Sequence, residues 1–177
     1  GIRLAITFLL AVTLNDGIKT LFAHPRPFDL KPSVGLYEAE GYGLPSGHAQ
    51  MAVVTWGVIA AELRKRWSWV AALVLMGLIG FSRIYLGVHF PTDVLAGWVV
   101  GALILFVYVR WGSQIEQWLI SMQPGHQIAL TLVVTVGLVL LMPTRVTTSI
   151  LGILAGAGVG LVVLWQIGGY RADGPMW

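Results

Sequence analysis

The sequence predicts an all-α fold, a polytopic membrane helix bundle of about six transmembrane helices. Two observations carry this. First, 56% of the residues are hydrophobic and only 11% are charged, where a soluble domain carries about 25% charged residues; the mean hydropathy is +0.79. Second, the apolar residues gather into runs at positions 4–17, 49–63, 69–81, 94–109, 128–142 and 149–167. Once extended by the residues at their ends, such runs approach the roughly 20 residues a helix needs to cross a bilayer. A single integral membrane domain over residues 1–177 is expected, with two additional helices within 127–167.

Taken in order, the first run leads into the one long polar stretch, residues 22–44, which holds Pro25, Pro27, Pro32, Gly35, Gly41 and Gly43. Prolines and glycines at this density make a loop or a re-entrant segment rather than a span. Its place between two spans would suit a lid, although nothing beyond position argues for one. Ser46 is placed to cap the second run. The second and third runs are joined by Arg64, Lys65 and Arg66. Gly87 breaks the chain after the third, and Pro91 opens the fourth at a first helical position. In the last run Gly152, Gly156 and Gly160 recur every four residues and so share one helix face. Such a face lets helices approach closely, within the monomer or in a homodimer.

Alternating these runs across a bilayer puts Arg3, Arg64, Lys65, Arg66, Arg110 and Arg171 on one side, and Lys19, Arg26, Lys31, Arg83 and Arg145 on the other. The excess of Lys and Arg marks the first side as cytoplasmic. The expected location is a bacterial inner membrane, with the polar loops on the periplasmic or extracytoplasmic side. The net charge of +3 is scattered, which gives nucleic-acid binding no support. The absence of cysteine excludes disulfides and thiolate metal sites.

Three stretches place costly groups in this apolar chain. In "KTLFAHPRP", Lys19 and Arg26 are seven residues apart, and Pro25 and Pro27 stiffen the chain around Arg26. A rigid guanidinium suits forked recognition of an oxyanion, and Lys19 adds a point charge. Two interfacial cations reaching toward lipid headgroups would look the same in isolation. In "LPSGHAQ", Gly47 admits a ligand close to the backbone, and the Gly47 and His48 N–H groups at a helix start suit a phosphate. His48 can give or take a proton near neutral pH. In "SRIYLGVHFPTD", His89 and Asp93 are four residues apart. A carboxylate on one imidazole nitrogen fixes the tautomer and leaves the other nitrogen free to attack. By the alternation above, all three stretches meet at the outer helix ends.

Together the pattern K-x6-RP, PSGH and SR-x5-H-x3-D resembles the type 2 phosphatidic acid phosphatase (PAP2), or lipid phosphate phosphatase, family. It stands complete here as Lys19–Arg26–Pro27, Pro45–Ser46–Gly47–His48 and Ser82–Arg83–His89–Asp93. The resemblance covers roughly the first hundred residues. It implies that His89 attacks phosphorus to form a phosphohistidine, that Asp93 orients His89, and that His48 protonates the leaving oxygen and then activates water. Lys19, Arg26, Ser46, Gly47 and Arg83 would hold the phosphoryl oxygens. It also implies no cofactor and no metal, and a substrate among isoprenyl diphosphate carriers, phosphatidylglycerol phosphate, phosphatidic acid, lipid A or sphingoid phosphates. Membrane members of the family place the first motif after earlier spans, which implies helices upstream of Gly1.

His24 and Arg145 could touch a second phosphate, though interfacial placement is the simpler reading of each. Trp56, Trp67, Trp69, Trp98, Trp111 and Trp118 read as interface anchors or packing. Two other functions stay open: a lipid phosphotransferase discharging the same phosphohistidine to an acceptor, and a non-catalytic lipid-phosphate binder or transporter. Binding alone needs only the cations, so the presence of His48, His89 and Asp93 favours an enzyme. The related vanadate-dependent haloperoxidases are soluble, which this chain is not.

Overall fold

The computed structural model describes residues 2–37 and 39–166. The helices are α1 (Ile2–Phe22), α2 (Pro27–Leu30), α3 (Gly47–Leu63), α4 (Arg66–Tyr85), α5 (Pro91–Ser121), α6 (Pro124–Leu141) and α7 (Arg145–Gln166). A 3-10 turn, Pro32–Val34, follows α2. Among the described residues there is no strand. Five of the helices are long and apolar enough to cross a membrane. The exception among the long ones is α3, whose 17 residues sit at the short end of the spanning range. Position 167 and Arg171 lie outside the described residues.

The chain forms two compact units, Gly1–Ile115 and Glu116–Trp177. In the first, α3 is the most buried element: Ala49, Gln50, Ala52, Val53, Val54, Gly57, Val58 and Ala60 are all inside. Ala52, Val53 and Ala60 meet Ala72 and Met76 of α4, with Trp56, Ile79, Trp98 and Leu105 packed around them. Small residues set the spacing. A Cβ at Gly97 of α5 would lie 2.5 Å from the Ser46 carbonyl oxygen, and one at Gly101 would lie 2.7 Å from that of Gln50. Four residues apart, these two glycines bring α5 against the backbone of the first turn of α3.

Local signals bound α3, α4 and the start of α5, whereas α5 runs on to Ser121, well beyond the expected run at 94–109. Ser46 is extended (φ −67°, ψ 113°) and its side chain accepts from the Ala49 N–H, which caps α3. Arg64 closes α3 in the left-handed region, its N–H donating to the Ala60 carbonyl. Gly87 turns left-handed (φ +68°) after α4, and a Cβ there would lie 2.0 Å from the Val34 carbonyl oxygen. Pro91 opens α5. The stretch at 22–44 is the loop expected, with one helical turn and one 3-10 turn inside it.

Polar ties fix both ends of the first unit. At one end Arg3 of α1 pairs with Glu62 of α3 at 2.7 Å. Its guanidinium stacks on Tyr108 of α5 at 4.5 Å, and Tyr108 donates to Glu62 at 3.2 Å. Further along, the Asn15 amide donates to Gln50 Oε1 at 2.8 Å, and Gln50 donates to the Ala11 carbonyl at 2.7 Å. This buried amide pair pins α1 to α3 one turn below Ser46.

In the second unit α6 and α7 pack as a hairpin. Leu151 and Leu154 of α7 are buried, and Gly158 abuts Thr131 of α6. The stripe at Gly152, Gly156 and Gly160 is not the packed face: a Cβ at any of the three would meet nothing within 4 Å. Within this hairpin the stripe is therefore not the face that α7 turns to α6.

Candidate active site

The C-terminal ends of α1 and α4 and the N-terminal ends of α3 and α5 come together. The Ser46 N–H donates to the Asp93 carbonyl at 2.9 Å, and the Leu36 N–H to that of Leu86 at 3.0 Å. All three sequence motifs thus converge at one end of the first unit, opposite the Arg3–Glu62–Tyr108 cluster.

Asp93 sits in the first turn of α5 and is completely buried. Its Oδ2 accepts from the Phe90 N–H at 2.9 Å, so the carboxylate caps its own helix. The same oxygen lies 3.5 Å from His89 Nδ1. His89 is 4% exposed, and its Nε2 lies 3.4 Å from Arg26 NH1. The imidazole is therefore held between a carboxylate on Nδ1 and a guanidinium on Nε2. Burial pushes His89 below the ordinary imidazole range. The nearby Asp93 carboxylate opposes this, while the charges of Arg26 and Lys19 add to it. A neutral imidazole with a free lone pair is the form a nucleophile requires.

Arg26 is 5% exposed and is more committed than its motif indicates. Nε donates to the Gly41 carbonyl at 2.7 Å, NH2 to that of Glu40 at 2.9 Å, and NH1 to that of Val88 at 3.0 Å. The Lys19 ammonium donates to the Tyr42 carbonyl. Two cations expected to hold phosphoryl oxygens thus hold three consecutive carbonyls of the loop, at residues 40–42. Arg83, half-buried, donates through Nε to Ser82 Oγ at 3.1 Å. Its terminal nitrogens have no partner among the described residues.

His48 stands exposed on the first turn of α3. Arg83, His89, Lys19 and Arg26 are all near enough for their charges to act on it. The Gly47 and His48 N–H groups precede the first intrahelical bond of α3 and are left for an outside acceptor. The Ser46 hydroxyl is buried and engaged as the cap.

Three residues that support this site carried no motif. His24 turns its Nδ1 to Asp93 Oδ1 at 3.6 Å. It was legible only as a histidine beside the first motif. Asn15 and Gln50 were legible as amides in apolar runs, where an unpaired amide is costly. Arg145 opens α7 in the second unit and is exposed.

These features define a membrane-embedded helical bundle with a buried His–Asp pair and a set of cations at one end. The chain belongs to the PAP2 superfamily, whose pattern matches residues 1–117. Among its relatives, undecaprenyl-diphosphatase of Sulfolobus acidocaldarius is 38% identical over 112 residues, covering 62% of this chain and 54% of that protein. Phosphatidylglycerophosphatase B of Bacillus subtilis is 32% identical over 126 residues, covering 66% and 60%. Lipid A 4'-phosphatase of Porphyromonas gingivalis is 33% identical over 108 residues, covering 58% and 44%. The chain spans about half the length of these relatives. No solved structure matches it.

Proposed function

We propose that this chain carries the catalytic site of an integral membrane lipid phosphatase. It would hydrolyse a phosphomonoester or diphosphate of a membrane lipid through a phosphohistidine. The observation that carries the reading is His89, buried between Asp93 at 3.5 Å and Arg26 at 3.4 Å. The relatives named above act, by their names, on an isoprenyl diphosphate, a phosphatidylglycerol phosphate and a lipid A phosphate. An isoprenyl diphosphate is the first substrate to test.

In the first step His89 Nε2 attacks phosphorus, the P–O bond to the leaving group breaks, and His48 gives that oxygen its proton. Asp93 stabilises the imidazolium that forms. In the second step His48 takes a proton from water, the water oxygen attacks phosphorus, and the P–N bond breaks, returning neutral His89. Arg83 and the Gly47 and His48 N–H groups face the phosphoryl oxygens, with Lys19 and Arg26 behind them. Such a reaction depends on positioning and charge stabilisation. The proposed chemistry requires no metal.

The test is phosphate release in detergent with EDTA present, across a panel of lipid mono- and diphosphates, comparing wild type with His89→Ala. Release by wild type alone supports the reading. Release by the variant at the wild-type rate, or a wild-type activity restored only by Mg²⁺, overturns it. Offering lipid and sugar acceptors in the same assay separates a hydrolase from a phosphotransferase.

We place the site on the extracytoplasmic side, because the end of the unit opposite it carries Arg3, Arg64, Lys65, Arg66 and Arg110. Self-association through Gly152, Gly156 and Gly160 belongs to the same reading. Gly156→Ile would remove a cross-linked dimer in detergent if copies meet there, and leave it unchanged if lipid covers the face.

A further inference from the structure

Five buried side-chain polar atoms lack a hydrogen-bond partner among the described residues, and three of them surround one carboxylate. They are Asp93 Oδ1, His89 Nδ1 and His24 Nδ1. Orphaned polar atoms are rare in native interiors and call for a cause. Here each imidazole nitrogen faces one oxygen of the Asp93 carboxylate. Asp93 Oδ2 faces His89 Nδ1 at 3.5 Å, and Oδ1 faces His24 Nδ1 at 3.6 Å.

We infer that His24 is a positioning residue for the His89–Asp93 pair, acting as a second imidazole on the far oxygen of the carboxylate. This rests on the reading of His89 as the nucleophile. Asp93 is 0% exposed, and a carboxylate at such depth needs a donor for each oxygen. Oδ2 has the Phe90 N–H and faces His89. Oδ1 has His24 alone.

The His24 ring is fixed for this task. Its backbone carbonyl accepts from the Gly43 N–H at 2.8 Å, and its ring meets Phe90 edge-on, with centroids 5.7 Å apart. The side chain is 41% exposed while Nδ1 is buried, so the ring points its inner nitrogen at Asp93 and its outer edge away. Neighbours leave little room for a substitute. A Cβ at Gly43 would lie 3.1 Å from Asp93 Oδ2 and 3.1 Å from the Pro25 carbonyl oxygen.

The consequence is mechanical as well as electrostatic. With Nδ1–H on Oδ1, the carboxylate cannot rotate, and Oδ2 stays on His89 Nδ1. Without it, Oδ1 is left bare, and the carboxylate, held by the Phe90 N–H alone, loses its fixed orientation toward His89. The charge that stabilises the His89 imidazolium while phosphorus is transferred is then misplaced. Substrate contacts are untouched, so the loss falls on kcat and not on KM.

The experiment uses the full chain in detergent with whichever lipid phosphate the wild type hydrolyses fastest. His24→Ala is expected to lower kcat about tenfold, the scale of losing a partner that orients a reactive imidazole, with KM unchanged. His24→Asn, whose amide nitrogen can stand where Nδ1 stood, is expected to restore most of the rate. In an Asp93→Asn background, His24→Ala should add nothing further. Equal kcat in wild type and His24→Ala overturns the inference, as does a full additional loss in the Asp93→Asn background. A second measurement is independent of activity and of the stability of the alanine variant. Nitrogen-15 histidine spectra of wild type and Asp93→Asn should show the His24 and His89 signals both moving. If His24 does not move, the inference is wrong even where phosphate release stands. If both histidines move but no lipid phosphate is cleaved, the His24–Asp93 contact stands and the phosphatase reading fails.

Discussion

At the scale of single residues, Arg26 is the side chain whose role differs most from its motif. It joins the loop at residues 40–41 to the backbone beside His89, through carbonyls of Glu40, Gly41 and Val88. An ammonium has no planar fork to span three carbonyls. Arg26→Lys should therefore cost about 3 kcal/mol of stability, from two charge-assisted hydrogen bonds lost, besides its effect on activity. Denaturation in detergent checks the first part, and an unchanged midpoint would show that the carbonyl contacts add nothing to stability. His89 gives a second expectation at this scale. Burial, aided by Arg26 and Lys19 against Asp93, disfavours its charged form. The folded chain then binds this proton at lower pH than the unfolded chain does. His89 should stay neutral below the ordinary value of about 6.5, and stability should fall as pH drops beneath that value. Nitrogen-15 titration of His89 measures this directly, and a midpoint above the ordinary value would contradict it.

At the scale of helices, the contact between α3 and α5 depends on side chains that are absent. Gly101→Leu would drive atoms into the Gln50 carbonyl and Val53, which lie 2.7 and 2.8 Å from a Cβ there. A loss of about 3 kcal/mol is expected from such overpacking. Gly152→Leu on α7, with open space around it, should leave the midpoint of unfolding unchanged, and thermal unfolding of the two variants side by side decides it. The comparison shows what sequence can and cannot convey. Gly97–Gly101 and Gly152–Gly156–Gly160 carry the same four-residue spacing, yet only the first is a helix contact in the described residues. Spacing defines a face; what lies against it is a long-range matter. The caps behaved differently, because they are local: Ser46, Gly87 and Pro91 could be read from neighbours in sequence, and so could the reach of Asp93 back toward His89. The partners of Arg26, Lys19 and His24 could not, since they lie across the loop that follows α1, on the turn before α5 and in the first turn of α5 itself.

At the scale of the whole molecule, the family match at residues 1–117 and the compact unit Gly1–Ile115 nearly coincide. All the proposed site residues fall inside both. Arg3, Arg64, Lys65, Arg66 and Arg110 collect at the end of this unit away from that site, which makes sidedness testable. Because the chain has no cysteine, single cysteines report cleanly. Leu36→Cys should react with a membrane-impermeant maleimide in intact cells, and Arg64→Cys only after lysis. The opposite result would place the site inside.

The three carbonyls held by Lys19 and Arg26 have a meaning for turnover. Three oxygens presented to two cations is also what a phosphoryl group offers. In the proposed reaction these carbonyls compete with an incoming anion, which gains only the difference between its own oxygens and the backbone's. On the proposed reading a lipid substrate would have its tail in the bilayer to tip that exchange, whereas inorganic phosphate would have nothing else to hold it. Free phosphate should therefore inhibit the proposed phosphatase weakly and dissociate readily, the same loop carbonyls taking back the two cations as it leaves.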